Sequence, residues 1–286
     1  MKHHFTLLLF FVAATTYSQQ FIKINNTGQL KLLGSFDREL LNEEPFCQWF
    51  NPNYDTFEIS TPISKLKVQL KNVDSIQIFL GTWCGDSKRE VPRFLKLLES
   101  ADFDRYQLIG LDNTFQNYKQ SPFGEEVGLN IHRVPTFIFY QDSIEINRIV
   151  ESPKTILEKD MMELLTGNYE PNCQIVHELN ELFKIHGYEY VASQIDELAL
   201  AWKDKVENKY VLNTYGFKLF TSFSMAEAEV VFQLNCLLYP NQCSSYYSLG
   251  RYYLRLGEKE LARVEFAKGL QIDPTDKDLL EALNGL

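Results

Sequence analysis

Residues 81–90 read GTWCGDSKRE, placed between the apolar run SIQIFLG at 75–81 and the stretch WCGDSKREVPRFLKLLES at 83–100. The first run has the length and bulk of a buried strand. The second reads as a helix, with Pro92 in its early part and Phe94, Leu95, Leu97 and Leu98 supplying apolar contacts. Cys84 therefore falls at the mouth of a helix. Backbone N–H groups there lack intrahelical partners and carry partial positive charge, an arrangement that favours a thiolate over a thiol. Trp83 is placed to shield one side of the sulfur, Lys88 and Arg89 to assist its charge, and Asp86 to oppose it.

Outward from this point the chain alternates. Thr61 as a cap, Pro62 at the first helical position, and Ile63, Leu66 and Leu70 on one face predict a helix ending near Asn72. YQLIGLD (106–112) predicts a second strand, IHRVPTFIFY (131–140) a turn and a third, and IEINRIVE (144–151) a fourth. Ser152 and Pro153 then open a helix through TILEKDMMELL (155–165). That order predicts a mixed sheet with helices on both faces. Upstream, EPFCQWFNPNYDTF (44–57) is rich in aromatics and turn formers, and residues 19–54 read as an extension packing on the next domain, with Cys47 unplaced.

A strand, then Trp83-Cys84-Gly85-Asp86-Ser87 at a helix start, then Val134-Pro135-Thr136 before another strand, resembles the thioredoxin fold, and within it the secreted thioredoxin-like proteins of the thiol-disulfide oxidoreductase group. The resemblance covers residues 55–168. It implies that Pro135 is cis, lies against Cys84, and with Val134 and Thr136 borders a groove where a substrate strand pairs; His132 and Arg133 lie either near that groove or on a solvated loop. It implies protein or peptide thiols and disulfides as partners, and no cofactor. Two departures matter. Dithiol members carry a second cysteine where Ser87 stands, and many carry a buried carboxylate six residues before the nucleophile, where this chain has Ile78. A mixed disulfide formed by Cys84 must then be released by another thiol: one of the substrate, a small thiol, Cys47 or Cys173.

Past Gly167 a different period begins. A step of 34 residues sets Pro274 on Pro240, Gly250 on Gly216, Ala262 on Ala228 and Phe266 on Phe232. This pattern resembles the tetratricopeptide repeat. The unit CSSYYSLGRYYLRLGEKELARVEFAKGLQIDP (243–274) holds the motif positions Tyr246, Leu249, Gly250, Tyr253, Gly257, Ala262, Phe266 and Pro274. It departs at Gly269, where alanine is usual. The unit before it, 209–242, has Phe223 where the inter-helix turn prefers glycine. A fainter unit carries Leu179, Phe183, Gly187 and Ala192, broken by Asp196 and Asp204, and DKDLLEALNGL reads as a capping helix. Small residues let paired helices approach, and each unit leaves an apolar face for the next. The resemblance implies a peptide-binding concave face; packing on the neighbouring domain or a dimer contact is the alternative.

The expected architecture is thus an α/β thioredoxin-like domain (55–168) followed by all-α tetratricopeptide-like repeats (169–286). At the N-terminus, Lys2, an apolar run from Phe5 to Ala14 and the polar TTYSQQ have the order of a secretory signal, with cleavage expected after Ser18. This predicts a periplasmic or secreted protein without membrane insertion after cleavage. The net charge of −10 disfavours nucleic acid and anionic membranes as partners. Five cysteines in an oxidising compartment leave at least one without an intrachain partner. Cys236 and Cys243 flank LLYPNQ and are candidates for a bridge. No metal-ligand spacing, phosphate-binding glycine loop or serine elbow is present. Two functional readings follow: a protein forming mixed disulfides through Cys84, with clients selected by the repeats, or a non-catalytic adaptor with a redox-dead fold.

Overall fold

The computed structural model describes residues 21–24 and 30–286, so the expected signal segment 1–18 lies outside the described residues. The sheet has six strands: β1 (Phe21–Ile24), β2 (Leu30–Phe36), β3 (Ser75–Leu80), β4 (Tyr106–Gly110), β5 (Thr136–Gln141) and β6 (Ile144–Val150). Their spatial order is β1-β2-β4-β3-β5-β6. Only β3 and β4 pair in parallel, joined by the helix α3 (Gly85–Ser100); the other neighbours are antiparallel. Residues 19–54, expected only to pack on this domain, supply two of its strands and the helix α1 (Cys47–Asp55). Gly34 and Gly110 face each other where β2 meets β4, and a Cβ on Gly110 would sit 2.1 Å from the Leu32 carbonyl oxygen. That close approach lets β2 join the sheet.

Strand periodicity divides the side chains between two cores. Ile76, Ile78, Leu80, Leu108, Phe137 and Phe139 pack with α1, α2 (Ile63–Gln69), α3 and α4 (Leu157–Leu165). Within this core the Phe94 ring of α3 stacks on Phe137 at 4.1 Å. Phe79, Ile109 and Ile138 point the other way and meet Leu111, Ile131 and Val134. Helices were expected on both faces, and here the structure differs: all four lie on one face, and the opposite face is covered by turns between residues 112 and 133. α4 also starts later than expected, because the Asp160 carboxylate holds the Lys154 and Thr155 N–H groups in a turn before it.

The second half is a helical repeat domain. It comprises α5 (Gln174–His186), α6 (Tyr188–Ser193), α7 (Ile195–Trp202), α8 (Tyr210–Thr221), α9 (Met225–Leu238), α10 (Cys243–Leu256), α11 (Lys259–Ile272) and α12 (Lys277–Asn284). The faint first unit is where the second helix is split into α6 and α7 at Gln194. In the two regular units a glycine of the first helix receives a phenylalanine of the second. A Cβ on Gly216 would lie 2.8 Å from the Phe232 ring, and one on Gly250 2.4 Å from the Phe266 ring. Gly269 has its own reason: Leu279 of α12 fills the space its side chain would take, 2.7 Å from a built Cβ. The cap helix itself starts at Asp276, whose carboxylate accepts from the Leu279 N–H at 3.0 Å.

Phe223 occupies the turn between α8 and α9 with φ of 64°, and Gly257, 34 residues on, adopts φ of 83° in the equivalent turn. A left-handed conformation costs a side-chain-bearing residue roughly 1–2 kcal/mol, and Phe223, 86% exposed, recovers little by packing. Phe223→Gly should therefore raise stability by roughly 0.5–1 kcal/mol, the relief of strain less the added freedom of glycine in the unfolded chain. Urea unfolding of the two proteins measures it, and an unchanged or lower midpoint would contradict this account.

Candidate active site

Cys84 is the N-cap residue of α3, with extended backbone (φ −89°, ψ 130°). Its thiol is half-buried and donates to the Val134 carbonyl oxygen at 3.2 Å. The Val134–Pro135 bond is cis. Trp83 turns back so that its indole N–H donates to the Leu111 carbonyl at 2.8 Å and its ring lies over Gly81, where a Cβ would approach within 2.5 Å. Gly85 is exposed and nothing lies within 4 Å of a Cβ built on it, so the approach to the sulfur is open on that side.

Ser87 is fully buried one turn into α3, and its hydroxyl accepts from the Gly81 N–H at 3.1 Å. It closes the turn between β3 and α3. Ile78 is fully buried in the apolar core, so β3 brings no carboxylate behind the thiol at that position. Arg89, expected to assist the sulfur, is bonded instead to Asp86 at 2.7 Å and to Glu90 at 2.5 Å.

Val134, Pro135 and Thr136, expected to border a substrate groove, are all buried, and the Val134 carbonyl accepts from the Cys84 thiol. His132 does not lie on a solvated loop: it is 6% exposed and its ring meets Tyr215 of α8 edge-on at 6.0 Å. Arg133 pairs with Glu151 at 2.8 Å. Among the described residues all five cysteines are free thiols. Cys236 is buried, which pushes its thiol up to about 12, while Cys243 donates to Asp276 at 3.4 Å, and the candidate 236–243 bridge is not formed. Cys173 is also buried, and desolvation with the nearby Glu207 carboxylate pushes it up to about 12. A thiol so held is protonated at neutral pH and a poor resolving group. Cys47, at the start of α1, is raised by desolvation and by Glu44.

Sequence reasoning gave no weight to the loop 112–126, a polar stretch without period. Its ends tie together through Asp112 N–H to the Gln120 carbonyl (2.9 Å) and Lys119 N–H to the Asp112 carbonyl (2.8 Å). The face of α8 carrying Thr214, Lys218 and Thr221 lies against it. Lys218 Nζ donates to the Lys119 carbonyl at 3.2 Å, Gln120 Nε2 to the Thr221 carbonyl at 2.6 Å, and the Thr221 hydroxyl to the Tyr118 carbonyl at 3.5 Å. Phe115 meets Phe220 of α8 and lies under the Arg255 guanidinium of α10 at 3.9 Å. The first helices of both regular repeats are thus engaged by the α/β domain of the same chain.

Comparison with known proteins agrees on the α/β part. No family model matches the chain. Over 116 residues it is 25% identical to thioredoxin-3, mitochondrial, of Saccharomyces cerevisiae, covering 40% of this chain and 85% of that protein. The chain has a thioredoxin-like region followed by a helical repeat domain.

Burial holds His132 down to about 3, far below its ordinary 6.5. Its Nδ1–H donates to the Asn130 carbonyl at 3.3 Å, leaving Nε2 buried with no partner among the described residues. The unfolded chain takes up this proton between pH 6.5 and 3 while the folded one does not, so stability present above pH 6.5 is lost as pH falls, by about 1.4 kcal/mol per pH unit at most. His132→Phe should flatten this loss. Denaturant unfolding at pH 7, 5 and 4 tests it, and parallel pH dependence in both proteins would refute the assignment.

Proposed function

We propose that this is an exported thioredoxin-like protein that forms mixed disulfides with client proteins through Cys84 alone, exchanging or isomerising their bonds. The observation that carries the reading is the Cys84 thiol at the start of α3, open on the Gly85 side and turned to the Val134 carbonyl beside a cis proline. Attack by the Cys84 thiolate on a client disulfide forms one S–S bond and breaks another, and the departing client sulfur takes up a proton. A second client thiol, or a small thiol, then attacks the mixed disulfide and restores Cys84. When both thiols belong to one client the sum is isomerisation, with no net electron transfer. With serine at 87, Cys173 protonated by burial and the Cys47 thiol also raised, the proposed route of release is a thiol from outside the chain.

Lys2 followed by the apolar run Phe5–Ala14 supports export to the periplasm or beyond. Among the described residues no helix is long and apolar enough to cross a membrane. The helix pairs of period 34 support a tetratricopeptide-like array, and the loop 112–126 lies against the first helices of its two regular units.

Pulse alkylation with mass spectrometry tests the reading. Cys84 should label within seconds at pH 7 while Cys173 and Cys236 stay protected, and exchange activity on a scrambled disulfide protein should vanish in Cys84→Ala. Ser87→Cys should allow a disulfide between positions 84 and 87 and with it reductase activity toward insulin, because positions i and i+3 at a helix start bring the Cβ atoms to about 5–6 Å, from which a small backbone adjustment closes the bond. An unlabelled Cys84 would leave the adaptor reading in possession.

A further inference from the structure

A cleft of about 500 Å³ lies between the α/β domain and the helical repeats, and the exchange reaction just described does not use it. One wall is the turn 128–132 with the outer edge of β6, the last strand of the sheet; the other is the segment 169–173 with one face of α5. His132 lines it and is 6% exposed. Its Nδ1–H donates to the Asn130 carbonyl, so Nε2 of the neutral ring is a bare acceptor, and it is buried with no partner among the described residues. A buried acceptor without a donor is costly. The backbone of the walls is costly too: Asn130 and Cys173 are both left-handed, with φ of 53° and 60°. Opposite Phe139 and Tyr140 the register of β6 shifts, so Ile146 has no partner on β5 and lines the cleft 39% exposed. Bulges of this kind re-aim a side chain next to functional sites.

We propose that this cleft binds a short extended stretch of polypeptide through its backbone amides, one N–H donating to His132 Nε2 and the others meeting the outer edge of β6.

The chemistry of the walls selects that class. Their charged groups pair off, Arg148 with Glu145 at 2.6 Å, Lys184 with Glu181 at 2.8 Å and Glu170 with Lys154 at 3.9 Å, so no ionic ligand is called for. What remains is largely amide. Asn147 accepts the Arg148 N–H at 2.8 Å and donates to the Tyr169 carbonyl at 2.8 Å, and Asn172 donates to the Val150 carbonyl at 3.2 Å. Two side-chain amides thus serve the strand edge as the peptide groups of a neighbouring strand do, and Gln174 and Asn180 add two more from α5. An edge so lined matches the paired donor and acceptor of a peptide unit. Ile146 offers an apolar contact to a side chain. Tyr169 is buried with its hydroxyl on Asp160 and presents no ring face to a sugar. The stretch 145–148 spans about 13 Å at the rise of a strand, room for roughly four residues of a bound chain.

The test is NMR titration of the full-length protein with capped tetra-alanine, which carries peptide groups and no charge, and separately with maltotriose. The peptide should bind and the sugar should not. In the native protein the ¹⁵N resonance of His132 Nε2 should move upfield as the peptide is added, a readout that depends on no variant folding. His132→Phe should weaken binding about tenfold, the loss of one hydrogen bond to a buried group. Ile146→Arg, at a partly exposed position, should abolish it by filling the cleft. Cys84→Ala should bind as the native protein does, so failure of the exchange reading leaves this result intact. Absence of peptide binding, or binding that leaves Nε2 unmoved and is unchanged in both cleft variants, overturns the proposal while the exchange function stands. Binding of maltotriose in place of the peptide overturns it equally.

Discussion

One segment, residues 112 to 134, has to satisfy four demands, and the rest of the molecule depends on its doing so. It covers the face of the sheet that carries Phe79, Ile109 and Ile138, closes on itself between Asp112 and Gln120, receives α8 and α10, and ends in the turn whose Val134 carbonyl meets Cys84. A helix in this place would satisfy its own backbone; a chain of turns does not, and every buried N–H and C=O then needs a partner from elsewhere. Several of those partners come from α8. Lys218 takes the Lys119 carbonyl, and the Thr221 hydroxyl takes the Tyr118 carbonyl. The helical repeats therefore complete the α/β domain instead of hanging from it as a separate arm, and the geometry around Cys84 is set in part by residues a hundred positions away.

This division explains what the sequence made legible. SIQIFLG and the helix after it are short-range patterns with a strong period, and the residues around Cys84, Ser87, Ile78 and Pro135 could be placed from them. The departures at Phe223 and Gly269 could also be seen, because a repeat gives each position a standard to differ from. Their causes could not, since one is a backbone angle and the other a leucine from the terminal helix. β2 was missed because LKLLGSF neither alternates cleanly nor avoids glycine, and its reason for being a strand is the glycine opposite it. His132, Arg133 and Lys119 were the largest gap. A polar stretch without period reads as solvated, and their burial is imposed by α8 and by Glu151, which no local pattern announces.

The chemistry open to Cys84 is narrowed by the same packing. Ser87 is more than a cysteine withheld: its oxygen accepts the Gly81 N–H in a fully buried place, and a thiol is a weaker acceptor there. The serine thus fixes the turn that presents Cys84 while removing the internal means of release. The Val134 turn closes one side of the sulfur, and the side beyond Gly85 is left for anything that arrives. A resolving thiol must attack along the line of the S–S bond, so it has to come in beside the client that is already attached. A client carrying its own second cysteine satisfies that constraint more readily than a separate small thiol crowded by a bound protein. Under the exchange reaction proposed above, this restricted approach would favour shuffling of bonds within one client over net reduction.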